Sequence, residues 1–151
     1  MDVEAFLSEK GVEFRLERHE QAFSAQEVAA SEHVTGHMFA KTVIVKDGET
    51  ACMLVLPASR HVDMRAAGDM LGGPVRLAEE PELKVLFPDC QIGAEPPFGS
   101  QYGMDTCMDE SLSTRDEIVF RAGTHDRTVR MRYEDYVTLE QPMVGRFTVE
   151  D

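Results

Sequence analysis

Two apolar segments that flank Asp47-Gly48 constrain the fold of this chain more than any other stretch. Residues 39–46 are rich in β-branched side chains, and residues 50–56 are almost wholly apolar. An Asp-Gly pair between two such segments is typical of a tight β-hairpin turn. The sequence therefore predicts an antiparallel hairpin whose second strand runs through the core.

Other predicted helices and strands alternate along the chain without a regular βαβ repeat. Three helices are predicted to begin at the capping residues Asp2, Ser24 and Asp63, and a fourth near Pro81, which suits a first helical turn. A fifth, short helix is predicted over residues 133–139. Predicted strands cover residues 12–17, 75–77, 102–108, 117–123, 128–132 and the tail from 145. This order favours an α+β fold with a mixed, largely antiparallel, barrel-like sheet and flanking helices. The 151 residues carry no linker, so one domain over residues 1–151 is expected.

The charge balance limits the partners that the chain can bind. The formal net charge is −13, whereas proteins that bind nucleic acid along a broad surface are usually basic. Stable DNA binding is therefore not expected, and any contact with nucleic acid must be local. The chain has no apolar run long enough to cross a bilayer, and its acidic N-terminus is unlike a leader peptide. We expect a cytoplasmic protein without membrane contact; no pattern indicates an oligomeric state.

Residues that bind metals are present but are not arranged for that purpose. The three cysteines form no CxxC motif, so neither a disulfide framework nor a zinc site is indicated. His33 and His37 have the spacing of a helical metal pair, but Gly36 interrupts that helix and no third ligand is near. We expect no metal and no cofactor. Two acidic pairs are interpreted as solvated loop charges: Asp109-Glu110 and Asp116-Glu117.

A second constraint on the fold is the stretch at residues 93–103, which contains three glycines and two prolines. Pro96 and Pro97 fix their own φ angles and donate no backbone hydrogen bond, so this stretch is neither helix nor central strand. Gly93 and Gly99 permit close approaches that other residues prevent. Such a loop is either a plain structural turn or a holder of bare backbone N–H groups that suit a carbonyl oxygen or a phosphate.

Three separated segments together resemble the YbaK / prolyl-tRNA synthetase-associated editing domain family of aminoacyl-tRNA deacylases. The first is residues 39–45, where Lys41 lies just inside a predicted strand. The second is the Gly-x-x-x-Pro loop of residues 93–99, and the third is Ala-Gly-Thr-His at residues 122–125. Their order and spacing suit the family from about residue 12 to residue 139.

The resemblance implies an α+β domain whose strands surround a small substrate pocket. It also implies hydrolysis of the ester between a wrongly attached amino acid and the terminal ribose of a tRNA. By position, Lys41, Gly93 and His125 match the family's functional lysine, loop glycine and pocket histidine, and they are the expected catalytic residues. The expected partner is the acceptor end of an aminoacyl-tRNA. The expected substrate-binding residues are Pro96, Pro97, Phe98, Gly99 and Thr124.

The chemistry of ester hydrolysis gives each catalytic candidate a role. The N–H of Gly93 or its neighbours can stabilise the oxyanion of the tetrahedral intermediate. The Lys41 ammonium can hold a phosphate or ribose or stabilise charge, and His125 can orient the ester or the attacking water. The resemblance implies that the substrate's ribose hydroxyl assists in place of an enzyme nucleophile. By family analogy the amino acid removed is small, such as alanine or cysteine.

Two other functions remain open at this point. A non-catalytic family member could bind a small amino-acid-like ligand or a protein partner, and the acidic charge favours this alternative. A metal-dependent hydrolase would need convergent His, Asp and Glu ligands, which the sequence does not offer. Residues 96–98, Pro-Pro-Phe, depart from the Ser/Thr-Pro form of the proline-editing members, which leaves the amino-acid specificity open.

Overall fold

A computed structural model describes residues 1–19 and 37–150 of the chain. Within this part the chain forms four α-helices and ten β-strands. The helices are α1 (Val3–Glu9), α2 (Met64–Leu71), α3 (Glu80–Leu86) and α4 (Tyr133–Glu140). The strands are β1 (Phe14–Arg18), β2 (Ala40–Asp47), β3 (Thr50–Pro57), β4 (Arg60–Val62), β5 (Arg76–Leu77), β6 (Asp105–Asp109), β7 (Glu117–Arg121), β8 (Arg127–Arg132), β9 (Met143–Gly145) and β10 (Thr148–Glu150).

The strands form the mixed, largely antiparallel architecture that the sequence predicts. A five-stranded sheet has the order β5-β2-β3-β6-β9, a three-stranded sheet has the order β1-β8-β7, and β10 pairs with β4. The β3–β6 and β6–β9 pairs are parallel, whereas the other pairs are antiparallel. A parallel bridge between Phe39 and Val119 connects the two larger sheets. The α+β fold class is therefore confirmed.

The hairpin of β2 and β3 forms as expected and carries the core on both of its faces. Asp47 pairs with Thr50, and Gly48 in the intervening loop has a φ of +60°. From Cys52 to its end, β3 is buried at every residue. One face packs on a large cluster that includes α1, β7 and β8, and the other packs on a smaller cluster under α2. The prediction that the second strand runs through the core is confirmed.

Capping residues set the helix boundaries where the sequence places them. The Asp2 carboxylate accepts a hydrogen bond from Ala5 N over 3.1 Å at the start of α1. Asp63 caps α2 in the same way, and Gly72, with a φ of +89°, ends it. Pro81 lies in the first turn of α3. The helix predicted from Ser24 lies outside the described residues. The helices that the structure describes are eight residues or shorter, far below the roughly 20 that span a bilayer.

The segment after residue 98 differs from the prediction in two ways. The strand expected over residues 102–108 begins only at Asp105, because residues 99–102 form a 3₁₀ turn that ends at Gly103 with a φ of +74°. The interpretation of Asp109 as a solvated charge is wrong, since its side chain is buried. Asp109 accepts hydrogen bonds from Phe147 N and Ser111 N, both over 3.1 Å. Burial raises the pKa of Asp109, but these hydrogen bonds and those from the neighbouring hydroxyls lower it below its ordinary value.

Candidate active site

Residues 93–99, here called the site loop, lie between two segments that the sequence singled out separately. On one side the Thr42 hydroxyl, on β2, donates to the carbonyl oxygen of Glu95 over 3.1 Å. On the other side Gly123 N, in the turn between β7 and β8, donates to Ala94 O over 2.9 Å. The fold therefore brings the site loop, the start of β2 and the β7–β8 turn together.

The ring of His125 lies directly against Gly93. Gly93 has a φ of +86°, a conformation that side chains with a Cβ rarely adopt. A Cβ added at Gly93 would lie 3.3 Å from Cε1 of His125. Glycine at this position therefore satisfies both the backbone angle and the close approach of the imidazole.

The orientation of the His125 ring is fixed by the segment that precedes Gly93. His125 Nε2 lies 2.6 Å from Ile92 O. Because a carbonyl oxygen only accepts, Nε2 carries the hydrogen and donates. In the neutral imidazole Nδ1 is then the acceptor. The backbone N of His125 donates to Gln91 Oε1 over 2.7 Å, which holds the backbone of the turn as well.

Glu95 enters the site as a residue that the sequence did not predict. Only 5% of its surface is exposed, and its Oε1 accepts a hydrogen bond from Gly93 N over 3.2 Å. Burial raises the pKa of Glu95, against the opposing effects of backbone hydrogen bonds and of His125. The N–H expected to be bare at Gly93 is thus engaged by a neighbouring carboxylate. A glutamate in a Pro/Gly-rich loop carries no sequence signal for this burial.

Lys41 lies on β2, the strand that contacts the site loop through Thr42. It is half-buried near the start of β2 and precedes Thr42. Successive strand residues point to opposite faces, so the Lys41 side chain leaves β2 on the face opposite to Thr42. Within residues 1–19 and 37–150, no hydrogen bond or ion pair joins Lys41 to Gly93, Glu95 or His125.

The expected substrate-binding residues of the site loop are themselves buried. The ring of Phe98 has no exposed surface and makes edge contacts with Phe6, Phe120 and Tyr136, at centroid distances of 5.4, 5.6 and 5.3 Å. Such contacts anchor the loop in the core. The other three candidates of the loop are likewise buried: Pro96, Pro97 and Gly99. Thr124 is half-buried beside His125, and its hydroxyl donates to Asp126.

Helix α4 supports the site loop by hydrogen bonds that the sequence did not reveal. The Tyr136 hydroxyl donates to Pro97 O over 2.6 Å. The buried Glu140 carboxylate accepts from Ser100 N over 3.0 Å and from the Thr106 hydroxyl over 2.6 Å. The Thr106 oxygen in turn accepts from Gly99 N over 3.0 Å. The carbonyl of Pro97 and the N–H groups of Gly99 and Ser100 are therefore tied to one helix, directly or through Thr106.

Removing the Tyr136 hydroxyl tests this support. We expect Tyr136→Phe to lower the free energy of unfolding by about 1–3 kcal/mol, because the buried carbonyl of Pro97 loses its donor. Denaturant unfolding followed by circular dichroism measures the change. Tyr133→Phe on the same helix is the matched control, with an expected change within about 0.5 kcal/mol. Equal stability of the two variants would contradict the assignment.

Within the described parts of the chain, no three His, Cys, Asp or Glu side chains are grouped so as to hold a metal ion. His37 Nδ1 lies 2.7 Å from the Ser59 hydroxyl. The other member of the expected surface pair, His33, lies outside the described residues.

Comparison with known proteins gives the class to which this fold and this arrangement belong. Residues 19–139 match the family model of the aminoacyl-tRNA editing domain. The chain is 30% identical over 149 residues to the multifunctional Ser/Thr-tRNA deacylase ProXp-y of Escherichia coli (strain K12), covering 95% of this chain and 89% of that protein. The expected class, an aminoacyl-tRNA deacylase and hence a hydrolase, is confirmed.

Solved structures show the same fold. The crystal structure of a hypothetical protein superposes with a TM-score of 0.89 at 22% identity, covering 99% of this chain and all of that one. A candidate trans-editing enzyme for prolyl-tRNA synthetase superposes with a TM-score of 0.87 at 21% identity, covering 98% of this chain and 95% of that one. The chain belongs to the aminoacyl-tRNA editing domain family.

Proposed function

We propose that this chain is a free-standing deacylase that removes serine or threonine from mischarged tRNA. The contact between His125 and Gly93 carries the proposal, since it places an oriented imidazole beside a loop of the editing family. The relative that suggests the amino acids is named a Ser/Thr-tRNA deacylase, and this chain covers 89% of it. Residues 1–151 would act as one domain, in the cytoplasm where tRNA is charged.

In this proposal the imidazole of His125 takes and returns the proton of the reaction. Its Nε2–H is held by Ile92 O, so Nδ1 accepts a hydrogen bond from the attacking water or from a hydroxyl of the terminal ribose. Water adds to the ester carbonyl carbon while Nδ1 takes one of its protons, and a tetrahedral oxyanion forms. When the intermediate collapses, the C–O ester bond breaks and the imidazolium returns this proton to the ribose oxygen. The products are the free amino acid and an uncharged tRNA.

Gly93 and Lys41 would contribute at different parts of the substrate. Gly93 N–H stabilises the oxyanion once the ester carbonyl replaces the Glu95 carboxylate as its partner. Lys41, on the neighbouring strand, binds the terminal phosphate or ribose of the acceptor end, for which a point charge on a flexible stem is suited. Thr124 lies beside His125 and contacts the same part of the substrate.

Deacylation of a panel of mischarged tRNAs, including seryl and threonyl esters, tests the function. We expect turnover of seryl- or threonyl-tRNA and a drop of about 10- to 100-fold in kcat/KM for Lys41→Ala, the loss of one charge-assisted contact. Lys84→Ala, which removes an exposed lysine on α3, is the control for net charge. A folded wild-type protein that turns over no ester would contradict the proposal and favour a non-catalytic binding protein. Unfolding of Lys41→Ala, or its full activity, would remove Lys41 from the site.

A further inference from the structure

The carboxylate of Glu95 lies inside the proposed site, and the His125 imidazole is the neighbouring group whose charge lowers the pKa of that carboxylate. In the described part of the chain no lysine or arginine forms an ion pair with it, and its Oε1 accepts a hydrogen bond from the backbone N of Gly93. The groups that interact with it electrostatically are His125 from the β7–β8 turn, Cys90 and Tyr102. A buried carboxylate without a lysine or arginine partner costs folding free energy. A bound cation would supply the missing partner.

The position of the carboxylate matches one group of the expected substrate. Its Oε1 is 3.2 Å from Gly93 N, the N–H that the ester carbonyl would use. In an α-amino ester, three bonds separate the ammonium nitrogen from the carbonyl oxygen, so the two atoms lie within about 3–4 Å of each other. A carbonyl oxygen bound at Gly93 N–H therefore brings the ammonium next to the displaced carboxylate.

We propose that the Glu95 carboxylate binds the α-ammonium group of the substrate and thereby selects esters that carry a free, charged amino group. This inference rests on the proposed function. Binding exchanges the partners of two groups: the ammonium takes the carboxylate, and the Gly93 N–H that the carboxylate releases takes the carbonyl oxygen. The ammonium–carboxylate bond joins two opposite charges, whereas the Gly93 N–H bond that it replaces carries a charge on the carboxylate alone.

A purely structural role for Glu95 makes a different prediction. If Glu95 only closed the loop, Glu95→Gln would keep the function, because the amide oxygen of glutamine can still accept from Gly93 N. The raised pKa of Glu95 means that its ionised form is disfavoured by folding. Its charge therefore lowers stability above that pKa, and the cost is lost as the pH falls from the raised pKa to the ordinary one. We accordingly expect Glu95→Gln to be at least as stable as wild type at pH 8.

The experiment compares two esters of the same tRNA. One carries the seryl group, and the other carries the corresponding α-hydroxyacyl group, made by deamination with nitrous acid, in which a hydroxyl replaces the ammonium. For Glu95→Gln we expect kcat/KM to fall about 10- to 100-fold on the seryl ester and by less than about 3-fold on the hydroxy ester. Glu80→Gln, at an exposed position of α3, makes the same change in net charge and should alter neither value.

The outcomes separate this inference from the proposed function. If the wild-type protein is active, two results for Glu95→Gln would overturn this inference alone. One is an equal loss of kcat/KM on both esters, and the other is no loss on either. Lower stability of Glu95→Gln at pH 8 together with equal losses would show that the loop needs the ionised carboxylate for its structure, and would overturn the inference. A wild type that hydrolyses neither ester nor any other aminoacyl-tRNA would contradict the proposed function and this inference with it.

Discussion

Replacing His125 with alanine is expected to lower kcat/KM for deacylation about 10²- to 10⁴-fold, the range lost when a general acid–base residue is removed. The ring is held by Ile92 O at 2.6 Å, and in the proposed mechanism its Nδ1 accepts the proton of the attacking water. The fall should appear mainly in kcat, because the imidazole acts in the transition state. Steady-state deacylation of the preferred mischarged tRNA measures both constants.

The control for this variant is His61→Ala, which removes an exposed histidine from β4. It should leave kcat and KM unchanged. A rise in KM for His125→Ala with an unchanged kcat would show that the imidazole only binds the substrate. Circular dichroism of both variants would confirm that the loss of activity is not a loss of fold.

Truncation of Phe98 is expected to have the largest effect on stability. Its ring is fully buried among Phe6, Phe120 and Tyr136. Phe98→Ala should lower the free energy of unfolding by about 3–5 kcal/mol, through lost burial and a residual cavity. Phe98→Leu keeps most of the volume and should cost less than about 1.5 kcal/mol. Denaturant titration of the three proteins gives the comparison, and a loss below about 1 kcal/mol for Phe98→Ala would contradict the anchoring role.

Sequence signals that act over a few residues predicted the fold well. Asp63 and Gly72 bound α2 where the sequence places them, because a side-chain cap and a left-handed glycine act on their own helix. Asp47-Gly48 predicted the hairpin for the same reason. The second strand of this hairpin was identified as part of the core from its own sequence, because nearly every side chain in it is apolar.

Contacts between distant residues explain what the sequence could not predict. Asp109 is buried because Phe147, far along the chain, supplies an N–H to it. Gly99 is required because a Cβ there would lie 2.5 Å from the Thr106 hydroxyl oxygen, which also accepts from Gly99 N. Each position looks like ordinary loop sequence until its partner is known.

The candidate site also contains some residues that the sequence indicated and others that only the fold reveals. Gly93 and His125 were singled out by resemblance to a family, and the structure brings them into contact. Gln91, which holds the backbone N of His125, and Glu95, which engages the Gly93 N–H, were missed because their roles depend on the fold of the loop. The assignment of Lys41 to the acceptor end of the tRNA remains a prediction.

The ties between the site loop and α4 have a consequence for biosynthesis. Pro97 and Ser100 are held by Tyr136 and Glu140, which leave the ribosome some forty residues later. His125, whose ring lies against Gly93, also comes after the loop in the chain. A nascent chain that has reached only β6 therefore contains the loop but neither α4 nor the imidazole of His125. Hydrolytic competence should be acquired in one late step, when α4 docks, and not gradually as the chain elongates.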